Sequence, residues 1–126
     1  MLVRGIRGAT TVESNTREDV LAAARELLDE VVRQNDIDPD LVASIIFSAT
    51  ADISAEFPAV AAREAGYTQV ALECLTEMNV PGSLPKCLRI LMHVNTERPL
   101  SEIKHVYLHG ARVLRRDLVA DEESTS

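Results

Sequence analysis

Cys87-Leu88-Arg89-Ile90-Leu91-Met92-His93-Val94 reads as a central β-strand with a single charge set in its middle. In period-two geometry Leu88, Ile90, Met92 and Val94 share one face, while Cys87, Arg89, Leu91 and His93 share the other. Apolar residues on both faces predict a strand covered on both sides. Burying a guanidinium costs several kcal/mol unless an anion pairs with it. Arg89 therefore calls for an anion on its own face, either a protein carboxylate or a substrate.

Outward from this strand, the chain alternates short apolar runs with turn signals. Leu2 to Arg7 reads as a first strand closed by Gly8. Thr16 is a helix N-cap with Glu18 and Asp19 in the first turn, and Val20, Leu21, Ala24, Leu27, Leu28, Val31 and Val32 follow at three and four spacing to about Asn35. Asp38-Pro39 opens a turn, and the second half of Leu41 to Ala49 reads as a strand. Phe57-Pro58 opens a short Ala-rich helix that Gly66 can end; Val70 to Leu75 is the next strand, and the loop from Met78 to Pro85 leads into the central one. A turn or short helix over Pro99 to Lys104 precedes a final strand pair, His105 to His109 and Arg112 to Leu114, around Gly110. The expected class is α+β, a mixed sheet of about five strands packed on one long helix. With too few helices for both faces of the sheet, burial by further copies of the chain is the natural solution.

The 126 residues, 46% of them hydrophobic, fit one domain over residues 1–118, with an acidic tail over 119–126 that reads as disordered. The net charge is −7, and Asp121, Glu122 and Glu123 supply three of those charges. The remaining negative balance argues against a general polyanion binder, and four aromatic residues without a Trp leave little for base stacking. Nucleic acid is not an expected partner. Nothing approaches a membrane span, and the start Met1-Leu2-Val3-Arg4-Gly5 is too short an apolar stretch to read as a signal peptide. Two cysteines without a C-x-x-C point to free thiols and a cytoplasmic setting.

Arg7 follows Val3 and Gly5 on one face of the first strand, so it repeats the theme of a cation on an apolar strand. Two such arginines suggest a carboxylate site, the plainer alternative being internal ion pairs with Glu77 or Glu13. Glu77, just beyond a strand end, is open to three roles: general base, hydroxyl acceptor or anchor for Arg89. Cys74 is a nucleophile only if a His lies beside it, and is otherwise a small hydrophobe. His105 and His109 on one strand would stand roughly 13 Å apart, too far to share a metal. Tyr107, on their side, offers a phenol to an anion or simply rests its hydroxyl at the rim of the core. Arg63 and the pair Arg115-Arg116 are either solvated charges or partners for a second carboxylate. No phosphate loop, nucleophile elbow or metal-ligand spacing occurs.

Five ordered segments, Arg4-Gly5-Ile6-Arg7-Gly8-Ala9-Thr10-Thr11, Phe57-Pro58-Ala59, Cys74-Leu75-Thr76-Glu77-Met78, Lys86-Cys87-Leu88-Arg89 and His105-Val106-Tyr107-Leu108, resemble the monofunctional trimeric chorismate mutases of the Bacillus type. The resemblance spans residues 1–118. It implies a trimeric pseudo-α/β-barrel with active sites at subunit interfaces, converting chorismate to prephenate in the shikimate pathway to Phe and Tyr. It further implies that Arg89 contacts the breaking ether oxygen and a carboxylate, that Arg7 and Tyr107 hold the enolpyruvyl carboxylate, and that Glu77 with Cys74 receives the ring hydroxyl. Glu77 would then be neither a base nor the permanent partner of Arg89. Phe57, Ala59 and Arg63 would come from the neighbouring chain, Leu114 would pack near the substrate, and Arg115 would help close the site. The chain departs from that pattern at Val60, where Lys is expected, at Glu73, where a small hydroxyl residue is expected, and at Arg116, where Pro is expected.

A Claisen rearrangement is unimolecular and transfers no proton, so it calls for no base, nucleophile, metal or cofactor. It needs a folded substrate conformer and fixed positive charge where the ether oxygen becomes negative. A millionfold acceleration requires about 8 kcal/mol of differential stabilisation. One preorganised donor contributes about 3 to 4 kcal/mol, a large share for Arg89 to supply. The same arginines also suit a non-catalytic trimer that binds a small carboxylate, or an imine deaminase on a related barrel.

Overall fold

The computed structural model describes residues 1–115, along which the elements run β1 (Leu2–Thr11), α1 (Arg17–Asn35), a 3₁₀ turn (Pro39–Leu41), β2 (Val42–Ala49), α2 (Ala59–Glu64), β3 (Ala71–Thr76), β4 (Cys87–Thr96), a second 3₁₀ turn (Leu100–Glu102), β5 (Val106–Tyr107) and a closing 3₁₀ helix (His109–Arg115). The expected domain end at residue 118, Arg116, the acidic tail and the side chain of Arg115 lie outside the described residues.

The five strands form one mixed sheet in the order β3-β2-β4-β1-β5, with β4 in the middle and antiparallel to both neighbours. The outer pairs, β2 with β3 and β1 with β5, are parallel. Helix α1 starts as its sequence dictates: the Thr16 side chain accepts from the Asp19 N–H, and Glu18 and Asp19 face the positive end of the helix dipole. Its stripe of Val20, Ala24, Leu27, Leu28 and Val31 is buried with Ile6, Phe47, Leu88, Ile90, Met92 and Val94 of the sheet. Each large side chain so buried contributes about 1.5 to 3 kcal/mol. Asn35 at the helix end is buried with its amide satisfied, donating to the Val31 and Lys104 carbonyls and accepting from the Lys104 N–H.

Three expectations are corrected. Gly8 does not close β1, which runs on to Thr11. Gly8 is instead the point where three elements converge: a β-carbon there would lie 2.9 Å from Cγ2 of Ile90, 3.0 Å from Cδ1 of Leu27 and 3.2 Å from the Val106 carbonyl oxygen. The strand over Leu41 to Ala49 occupies Val42–Ala49, not only its second half, because every position is paired to β4, β3 or both apart from the irregularity at Ala43.

The final strand pair is reduced to Val106–Tyr107, laid beside Gly8 and Ala9. At His109 the backbone turns with φ 49°, Gly110 donates to Oγ1 of Thr11 at 3.2 Å, and Ala111 donates back to the Leu108 carbonyl at 3.0 Å. This hydrogen bonding closes a 3₁₀ helix where an Arg112 to Leu114 strand was expected. The helix folds over one end of the second sheet face, where Ala111 and Leu114 cover Ala9 and Cys87.

Among the described residues nothing covers the rest of that second face. Arg89 is therefore not a buried cation here: its side chain is 46% exposed. Alternation along β4 is otherwise as expected, with Leu88, Ile90, Met92 and Val94 buried and Leu91 and His93 half-buried.

Candidate active site

Register places the charged residues together. Arg89 stands opposite Ala9 of β1 and Ser48 of β2, and Arg7 stands opposite Leu91, so both arginines project from the open face on neighbouring strands, one pleat apart. Tyr107 lies beside Ala9 on the next strand. Glu77, just beyond β3, is tied back by its N–H to the Ala49 carbonyl at 2.8 Å. Arg7, Ser48, Glu77, Arg89 and Tyr107 line one cavity of about 300 Å³, whose apolar floor includes Ile46 and Leu91. Two guanidinium groups against one carboxylate leave an excess positive charge there, which suits an anionic ligand.

Within this cavity Oε1 of Glu77 lies 2.6 Å from Nε of Arg89 and accepts from the Ser48 hydroxyl at 3.1 Å. Glu77 is thus the direct partner of Arg89, the anchor alternative rather than an uncommitted acceptor. The ladder explains why: Ser48 and Arg89 are opposed across β2 and β4, and Glu77 is the first residue past the strand that flanks them. Arg7 forms no ion pair with Glu77 or Glu13 among the described residues. Its N–H donates to Nδ1 of His105 at 3.0 Å, where a backbone carbonyl would continue the β1–β5 ladder. Nδ1 must be unprotonated to accept, and burial, with the nearby Arg7 charge, holds the imidazole's proton affinity below its ordinary value. His109 sits apart and pairs with Glu26 at 2.7 Å.

Cys74 is not brought to Glu77. It pairs with Phe47 across the β2–β3 ladder and so faces the helix side of the sheet. There Phe57, Ala59, Val60, Arg63, Glu73 and Cys74 line a separate cavity of about 260 Å³ between α2 and the edge strand β3. Burial pushes the Cys74 thiol up, and burial pushes the Cys87 thiol up beneath Ala111. Neither is disulfide-bonded, and neither has the depressed proton affinity of a nucleophile. Arg63 is exposed and Phe57 is 68% exposed in the single chain. The departures at Val60 and Glu73 both fall in this second cavity, replacing a positive charge by an apolar group and adding a negative one.

A larger cavity, about 510 Å³, lies along α1 and is lined by Glu13, Asp19, Glu26 and His109. Its carboxylates repel an anion, so size alone misleads here. Among the described residues no three His, Cys, Asp or Glu side chains are placed to hold a metal ion, and no helix is long and apolar enough to cross a membrane.

Sequence reasoning overlooked Ser48 and the contact of His105 with Arg7. Ser48 had a visible signal, since it falls in phase with Ile46 on β2; which strand it would meet was not visible.

Comparisons with known proteins identify the family. The family model for chorismate mutase type I matches residues 3–118. The chain is 46% identical over 119 residues to chorismate mutase AroH of Bacillus subtilis, covering 94% of each chain, and 46% identical over 118 residues to chorismate mutase AroH of Thermus thermophilus, covering 93% of this chain and 97% of that one. A solved chorismate mutase from Clostridium thermocellum superposes with a TM-score of 0.86 at 51% identity, covering 87% of this chain and 98% of that one. A cavity that gathers two arginines, a carboxylate and a phenol on the open face of this sheet is therefore that of a member of the type I chorismate mutase family, to which the chain belongs.

Proposed function

We propose that the chain rearranges chorismate to prephenate, in the cytoplasm and in aromatic amino acid biosynthesis, at sites completed between copies of the chain. The carrying observation is the single cavity that holds Arg7, Glu77, Arg89 and Tyr107. Glu77 engages Arg89 through Nε, so the terminal guanidinium nitrogens remain to meet the ether oxygen and a carboxylate. Arg7 and Tyr107 hold the enolpyruvyl carboxylate across the strand pair, and the Glu77 carboxylate accepts the ring hydroxyl. Charge on Arg89 then favours the transition state over the ground state, because the ether oxygen becomes negative only as its bond breaks.

The second cavity supplies the other wall. Phe57, Ala59, Arg63 and Cys74 share it while facing away from the first, and Phe57 and Leu75 are large apolar side chains left exposed. Laying the α2 edge of one copy on the open face of another covers both apolar surfaces and encloses the substrate, as a cyclic trimer does. Leu114, packed like Tyr107 against Ala9 and Cys87, closes the end of the site.

Loss of chorismate absorbance with formation of prephenate tests the activity, and a folded protein without turnover overturns it. The shared site is tested by mixing two inactive variants, Arg89→Met and Arg63→Ala. Mixed assemblies regain turnover if each site draws these residues from different copies; no recovery in a demonstrated mixed oligomer rejects the arrangement.

A further inference from the structure

We infer that Ser48 is a positioning residue that sets the Glu77 carboxylate for the rearrangement; this rests on Glu77 and Arg89 acting as proposed above. Ser48 lies directly across from Arg89 on the open face, and its hydroxyl donates to Oε1 of Glu77 at 3.1 Å. The same oxygen meets Nε of Arg89 at 2.6 Å. That oxygen is therefore committed to the Ser48 donor and to the guanidinium charge beside it. Oε2 has no hydrogen bond among the described residues, which leaves it as the acceptor for a substrate hydroxyl.

The arrangement is anchored at both ends of the Glu77 residue. Its N–H is held by the Ala49 carbonyl and its carboxylate by the hydroxyl of the adjacent Ser48, so one pair of β2 residues fixes backbone and side chain together. Without the Ser48 donor, Oε1 would keep only the arginine. The carboxylate could then turn so that its oxygens bridge the guanidinium in the bidentate geometry that such pairs favour. A bidentate pair would occupy a terminal nitrogen of Arg89 and the free oxygen of Glu77, the two atoms that the substrate needs. Ser48 thus keeps Glu77 on Nε, and its contribution is to orientation.

The test compares Ser48→Ala and Ser48→Thr in the full chain, alone and in a Glu77→Ala background, with chorismate as substrate. Ser48→Ala is expected to lower kcat by about 10- to 100-fold, the worth of one hydrogen bond to a charged group. KM should change by less than about twofold and the assembly should remain folded. Ser48→Thr keeps the hydroxyl and should restore most of kcat. In the Glu77→Ala background, read under single-turnover conditions, Ser48→Ala should have no further effect, because the two residues act as one unit.

An equal loss with and without Glu77, or an unchanged kcat in Ser48→Ala, overturns the positioning role while wild-type turnover leaves the activity standing. A wild-type chain that does not turn over chorismate overturns both.

Discussion

The Glu77 carboxylate holds Arg89 by Nε at 2.6 Å, on the side of the guanidinium nearest the strand. Both groups are partly exposed in the single chain, at 25% and 46%, so their pairing alone contributes little stability. Its importance is positional: one carboxylate oxygen holds the guanidinium beside the strand before substrate arrives. Preorganisation of this kind is where electrostatic catalysis gains over water.

Replacing Arg89 with Met removes the charge and keeps much of the stem. The expected result is a fall in kcat of about 100- to 1,000-fold or more, as for loss of one preorganised donor, with a smaller change in KM. Steady-state kinetics on chorismate decide it. A variant with wild-type kcat and only a raised KM would show that Arg89 binds substrate and transition state alike.

His105 makes stability depend on pH with a definite sign. Its folded-state proton affinity is lowered, burial first and Arg7 second, so the unfolded chain takes up the proton earlier as pH falls. The stabilising contribution is complete above the ordinary histidine value of 6.5 and is lost as pH drops from there through the lowered folded value. Protonation at Nδ1 also replaces the acceptor of the Arg7 N–H by a donor. Urea titrations between about pH 7.5 and pH 5 should give a decline that is shallower in His105→Gln. Equal slopes in the two proteins would show that other groups carry the dependence.

Gly8→Ala places a methyl group between Ile90, Leu27 and the Val106 carbonyl. The side chains can yield by a few tenths of an ångström, but the carbonyl belongs to the β1–β5 ladder and cannot move without disturbing Tyr107. Overpacking of this kind costs about 1 to 3 kcal/mol. Calorimetry should show a lower melting temperature, and activity should fall beyond the loss of folded protein because Gly8 borders the site cavity. An unchanged Tm would mean that the three elements are less closely packed than these distances indicate.

Periodicity made the long helix and the burial alternation of β4 readable, because both follow from local geometry: Thr16, the Val20 to Val31 stripe and Leu88 to Val94 need no knowledge of their partners. Where partners mattered, the reading fell short. Gly8 reads in sequence as a stop, although its role depends on Leu27 and Val106, which are distant in the chain. The Arg112 to Leu114 segment has strand-like composition, yet Thr11 captures the Gly110 N–H and the backbone tightens into a 3₁₀ helix over Ala9 and Cys87.

The site divides in the same way. The residue types by themselves determined the kind of chemistry: two strand arginines, a strand-end carboxylate and a phenol provide fixed charge and hydrogen bonds, which suit an anion whose charge shifts during reaction. Family motifs supplied the substrate. Only tertiary structure decided which residues meet, since β4 lies between β1 and β2 and the pleat of this sheet brings Arg7, Ser48, Arg89 and, from the end of β3, Glu77 to one face. It also turned Cys74 to the opposite face with Phe57 and Arg63. Side-chain direction in a sheet is set by register, and register is a relation between strands that no single strand encodes.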